Sequence, residues 1–178
     1  MQKRLNRPII RVRRHPSRPY EGIVAAGALR LRCAIGKGGT SIFKREGDGA
    51  TPVGSMPLLS AFRRKGRLTA LRTGLPQRWA RPTDGWCDAP EHPAYNRPVH
   101  LPFPASAETL QRSDRLYDFA VVLDYNLSSR RRGKGSAIFL HIARPQFPPT
   151  QGCVALYPQD MVRLAPFLRR GARLVVTR

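Results

Sequence analysis

Apolar and polar residues alternate along much of this chain with a period of two, the mark of half-buried β-strands. IIRV (9–12) opens with a short run of this kind, and IVAAGALRLRCAI (23–35) alternates apolar with basic positions around Gly27. The second stretch predicts a hairpin with one wet face. Residues 55–62 predict a further strand, entered from the Gly- and charge-dense loop KREGDGATPVG (44–54). YDFAVVLDY (117–125) and SAIFLH (136–141) are continuous apolar, β-branched runs, so they predict buried strands. SSRRRGKG between them is an exposed basic turn.

One segment changes period. Met161, Leu164, Ala165 and Leu168 recur at i, i+3, i+4 and i+7, which predicts a helix; Pro158 suits its first turn and Gly171 is a natural stop. ARLVVT (172–177) predicts a closing strand. Residues 76–104 hold seven prolines and both tryptophans, so a long loop with little regular structure is expected there. No internal repeat and no linker interrupts the pattern. The expectation is one mostly β domain, sandwich- or barrel-like, with one or two helices.

Composition adds partners rather than fold. A length of 178 residues with 41% hydrophobic positions is enough for one well-packed core. Against 11 acidic residues stand 32 Lys and Arg, a formal charge of +21. Such a surface attracts polyanions: nucleic acid, an anionic cell-wall polymer or a membrane surface. The arginines are scattered, aromatics are 8%, and no RRM, KH or helix-turn-helix signal is present, which disfavours a specific nucleic-acid-binding module. GKGGT lacks the spacing of a phosphate-binding loop. No apolar run reaches 18 residues, so no transmembrane helix is expected. The opening MQKRLNRPIIRVRRHP is basic, with two isoleucines where a secretory signal needs a longer apolar stretch.

Candidate chemistry centres on IFLHIARPQFPPTQGCVAL (138–156). Cys33, Cys87 and Cys153 cannot all pair within one chain, and none has zinc-site spacing, so one thiol is expected to be free. A cysteine nucleophile acts as its thiolate, and a neighbouring imidazole can take the proton. His141 ends a predicted strand, while Cys153 follows Gly152 after a proline-rich loop. On residues alone, a core histidine and a small buried thiol explain the same pattern. Tyr125 reads either as a cleft hydroxyl or as a core aromatic. Trp86 and Tyr95 read either as a wall for substrate or as packing. Asp48 reads as a turn residue, and Cys33 and Cys87 as structural.

The segment around His141 and Cys153 resembles the active-site segment of the L,D-transpeptidases, the YkuD-domain family, whose pattern is a His, a loop and then Ser/Thr-His-Gly-Cys. GDGATPVGSMPL resembles the family's upstream Thr-Pro-x-Gly stretch. Together with DGWCDAP, YNRPV and GSAIFLH it is similar to a compact proteobacterial branch of that family. The likeness covers 22–178, leaving 1–21 as a basic N-terminal segment. It implies that Cys153 attacks the diaminopimelate–D-Ala bond of a peptidoglycan stem peptide and forms a thioester. An acceptor amine then resolves the thioester into a diaminopimelate–diaminopimelate or L-Ala–diaminopimelate cross-link. His141, oriented by a backbone carbonyl, would be the base, and the N–H groups of Gly152 and Cys153 would hold the oxyanion. Gln151 departs from the family's histidine before Gly-Cys, and Val154 and Ala155 stand where many members carry Arg or Asn. Arg144 reads either as a substitute for that substrate-carboxylate contact or as one more surface cation among 32, and Gln151, Thr150 and Tyr125 are further binding candidates. The resemblance implies no metal or organic cofactor. The substrate that it implies points to the periplasm, and the oligomeric state stays open, with a monomer as the expectation. The alternatives are a carboxypeptidase that resolves the same thioester with water, and a basic nucleic-acid-binding module.

Overall fold

The computed structural model describes residues 7–178. The first strands are β1 (Ile9–Arg14), β2 (Glu21–Ala26) and β3 (Leu29–Ala34), followed by the short β4 (Thr40–Ser41) and β5 (Thr51–Pro52). The long β6 (Gly54–Arg63) leads to β7 (Gln77–Trp79), β8 (Asp84–Cys87), β9 (Pro98–His100) and β10 (Ala107–Thr109). Then come β11 (Phe119–Leu123), β12 (Phe139–Ile142), β13 (Val154–Leu156), helix α1 (Pro158–Leu164) and β14 (Arg173–Thr177).

The main sheet runs β11-β12-β13-β3-β2-β1-β14-β6-β7, and β6 also pairs with β11. That second pairing closes the sheet into a barrel and leaves few free edges. The expected hairpin is β2–β3, paired from Glu21↔Ala34 to Ala26↔Leu29, and Gly27 turns it at φ 55°. The expected division after residue 21 falls one residue into β2, and β1 pairs antiparallel with β2, so the described part of the basic segment is woven into the sheet.

Strand alternation sorts the core into two compartments. In β12, Leu140 and Ile142 face the barrel interior, whereas Phe139 belongs to a second apolar cluster on the outer face. In β11, Phe119, Val121 and Leu123 point inward, and Ala120 and Val122 join that outer cluster. A strand covered on both faces must be apolar throughout, which is why these two runs show no polar alternation.

The helix is shorter than its pattern. It ends at Leu164 and continues as a 3₁₀ turn over Ala165–Phe167. Pro166 has no N–H to donate and its ring crowds the preceding turn. Gly171, at φ 81°, therefore turns the chain into β14 rather than capping the helix.

The proline-rich region departs most from expectation. Residues 76–104 contain β7, β8 and β9, and β8 is the centre of a small sheet ordered β10-β8-β9. Proline is compatible with this arrangement because Pro98 opens the edge strand β9 and the others fall outside the strands. Trp86 of β8 meets the Phe139 ring edge-on at 5.1 Å, so this region covers the outer face of the barrel wall that carries β12.

Candidate active site

Strands β12 and β13 are parallel neighbours, with Leu140 opposite Val154 and His141 opposite Ala155. Cys153, one residue before β13, is thereby set against the start of β12. The Phe139 N–H donates to its Sγ at 3.3 Å, and the thiol donates to the Ala137 carbonyl at 3.2 Å. Phe139 and His141, two residues apart, share one face of β12. The imidazole Nδ1 lies 2.8 Å from the Ile142 carbonyl, as the resemblance implied. A carbonyl only accepts, so Nδ1 carries the proton of the neutral ring and Nε2 keeps a free lone pair. The Tyr117 ring meets the imidazole edge-on, with centroids 5.3 Å apart.

Cys153 and His141 both line a cavity of about 470 Å³. Among the described residues no hydrogen bond joins the two. Burial pushes the Cys153 thiol up to about 12, and the negative charge of Glu108 adds to the rise. Burial likewise pulls His141 down to about 4, against the opposing effect of its bond to the Ile142 carbonyl. At neutral pH the resting pair is thus a thiol and a neutral imidazole.

The loop before Cys153 is fixed by two threonines. The Thr150 hydroxyl donates to the Cys153 carbonyl at 2.7 Å, and the fully buried Thr51 reaches the same oxygen at 3.4 Å. Thr51 Oγ1 also accepts the Gly36 N–H at 2.8 Å. Gly152 sits between them at φ 132°, where a Cβ would come within 2.8 Å of the Ala50 carbonyl oxygen. Only glycine fits both the dihedral and the space. Its N–H, however, donates to Thr150 Oγ1 at 3.1 Å. This corrects the expectation that it is free for an oxyanion: in the resting loop the group is already committed.

Arg144, Gln151 and Thr150 all lie on the cavity wall. Arg144 ion-pairs with Asp114 at 2.7 Å and remains half exposed. Tyr125 does not reach the cavity, which corrects its candidacy: it follows the end of β11, and its hydroxyl donates to the Lys134 carbonyl at 2.9 Å. Trp86 and Tyr95 are packing residues; the Trp86 indole donates to Asn96 Oδ1 at 2.9 Å and the Tyr95 hydroxyl bonds Glu46. Asp48 braces its turn by accepting the Arg45 and Ala50 N–H groups at 2.7 and 2.8 Å, and it pairs with the buried Lys44. Cys33 and Cys87 are wholly buried.

Sequence reading missed the opposite wall, made by Asp88, Glu108, Arg112 and Tyr117. Arg112 forks onto Asp114 at 2.9 and 2.6 Å, so one carboxylate holds both Arg112 and Arg144. The only signal in the sequence was the charge-dense ETLQRSDRLY (108–117), which reads equally well as a solvated loop.

A closed β-barrel presenting one thiol and one neutral imidazole to a single cavity defines a cysteine–histidine type of site. Residues 20–176 match the L,D-transpeptidase catalytic domain, YkuD, and the chain belongs to that family. Among solved structures it is similar to an L,D-transpeptidase from Mycobacterium smegmatis: 12% identity, TM-score 0.45, over 96% of this chain and 58% of that one. Bd1075 of Bdellovibrio bacteriovorus shares 19% identity at TM-score 0.48, over 96% of this chain and 48% of its own. L,D-transpeptidase 3 of Mycobacterium tuberculosis shares 14% at TM-score 0.46, over 96% and 62%. The chain thus spans less than two thirds of each of these proteins. No curated protein matches it.

Proposed function

We propose that this protein is a peptidoglycan L,D-transpeptidase working through Cys153. The observation that carries the reading is the shared cavity of Cys153 and His141, with Nδ1 tied to a carbonyl and the Nε2 lone pair left free, in a chain of this family. Cys153 attacks the carbonyl of the diaminopimelate–D-Ala bond in a donor stem. His141 Nε2 takes the thiol proton and gives it to the departing D-Ala amine. An acceptor stem amine then displaces the sulfur and forms the cross-link. Proton transfer to the imidazole accompanies attack on the carbonyl carbon, so the developing negative charge passes to the carbonyl oxygen instead of resting on sulfur. Arg144 offers a two-pronged donor for a stem carboxylate from the cavity rim. Such stems are found outside the inner membrane, which places the proposed site of action in the periplasm, where the +21 charge favours an anionic wall.

The test is mass spectrometry of muropeptides after incubation with purified protein. New cross-linked dimers are the expected outcome, and Cys153→Ser removes them. Shortened monomers without dimers would make the protein a carboxypeptidase instead. An unchanged pattern with correctly folded protein would overturn the enzymatic reading.

A further inference from the structure

Glu108 stands in this site without a role in the mechanism above. It lies on β10, opposite Trp86 of β8, on the small sheet that faces the barrel wall. Its side chain is 28% exposed, and the exposed part opens onto the cavity that holds Cys153 and His141. The Tyr117 hydroxyl donates to Oε1 at 2.6 Å, and the ring of that tyrosine leans on His141. The carboxylate is therefore held rigidly on the same support as the imidazole.

The simplest alternative makes Glu108 the counter-ion of Arg112. Its nearest approach to that guanidinium is 3.6 Å, whereas Asp114 already grips Arg112 with two shorter bonds. Arg112 has its partner. Beside Glu108, Asp88 lines the same cavity, and its Oδ1 is buried with no hydrogen-bond partner among the described residues. A buried carboxylate oxygen without a donor is costly unless something arrives to satisfy it.

This acidic wall works against the first half of the reaction. The charge of Glu108 disfavours the Cys153 thiolate. The second half has the opposite need. An aliphatic acceptor amine is an ammonium at neutral pH, and it must shed a proton before it can attack. His141 is occupied in this half with returning a proton to the departing Cys153 sulfur, so the acceptor's first proton needs a second acceptor in the cavity. Burial raises Glu108 and makes it a stronger base than an ordinary carboxylate.

We infer that Glu108, with Asp88 beside it, receives the ammonium group of the acceptor strand, and that Glu108 takes its proton. This rests on the Cys153 thioester reading. The ammonium proton passes to Glu108, and the freed lone pair attacks the thioester carbonyl carbon. The N–C bond forms, the C–S bond breaks, and the electron pair leaves on the Cys153 sulfur. The second proton lost by nitrogen returns through His141 to that sulfur, and Glu108 releases its own to water.

The acyl-enzyme formed from a donor tetrapeptide is challenged in two ways: with an amine acceptor protonated at neutral pH, and with hydroxylamine, which is largely unprotonated there. E108Q is expected to slow resolution by the ammonium acceptor at least ~10-fold, the low end for loss of a general base. It slows hydroxylamine resolution far less, and acyl-enzyme formation far less. E108D, which keeps a carboxylate, recovers part of the ammonium rate, and it carries the test should E108Q fold poorly. Equal losses with both nucleophiles, or none with either, would overturn the inference. Failure of the wild-type protein to form any acyl-enzyme would instead overturn the cysteine reading beneath it.

Discussion

The Phe139 N–H donates to the Cys153 sulfur while the Cys153 thiol donates to Ala137, so both ends of the S–H group are engaged by backbone of the segment leading into β12. The thiol proton is committed to the Ala137 carbonyl and not to the imidazole expected to remove it. A resting thiol held in this way is protected from casual oxidation and reacts slowly until a substrate intrudes.

Alkylation kinetics should display that state. Cys153 lines the cavity, whereas Cys33 and Cys87 are 0% exposed, so iodoacetamide should label Cys153 first. Its rate should go on climbing past pH 9, because burial pushes the thiol up to about 12. Peptide mapping across a pH series reads both. A plateau below pH 8 would mean a preformed thiolate and defeat the neutral-pair description.

His141→Gln is expected to lower activity by about 10²–10⁴-fold, the range for loss of a general base. Gln151→Ala should lose less, since an amide can only hydrogen-bond. Stability carries a second signature. The unfolded imidazole binds its proton below about 6.5, whereas the native one, desolvated, resists until about 4. The contribution is complete above the upper value and drains away as pH falls through this window, by roughly 3 kcal/mol in all. Denaturant melts from pH 7 to 4 should therefore fall less steeply for His141→Gln than for wild type. Parallel curves would show that His141 is not desolvated as described.

Gly152→Ala should destabilise the protein by about 2 kcal/mol or more and abolish activity. The added Cβ meets the Ala50 carbonyl, and φ 132° is costly for any L side chain. Thermal unfolding gives the first value and muropeptide turnover the second. An active, equally stable variant would mean the loop before Cys153 is not held as described.

Carbapenems should acylate the protein once, through sulfur attack on the strained lactam. Intact-mass spectra should show a single adduct that disappears in Cys153→Ser. An adduct surviving that substitution would move the nucleophile elsewhere.

Much of this was legible in the residues. The hairpin around Gly27 and the apolar runs that became β11 and β12 follow from alternation and β-branching, because barrel walls impose a local rule on each strand. The contact of Thr51 with the Cys153 carbonyl was not legible, since a hydrogen bond across 102 positions leaves no periodic trace. The small sheet was hidden by its prolines: strands of three and four residues are too short to establish a pattern. With that sheet went Glu108 and Asp88, whose side of the cavity depends on how β8 and β10 pair.

Strand β14 follows every other strand in chain order, yet it is bonded on one side to β1, in parallel, and on the other to β6. Two segments made early must wait for one made late. Until it arrives, β1 and β6 each present an unpaired edge, and such edges invite pairing between molecules. Closure of the barrel is therefore a late, long-range event, of the kind that folds slowly and is most exposed to misassembly. During synthesis the barrel stays open until β14 is available, so damage to β14 leaves the facing edges of β1 and β6 without a partner.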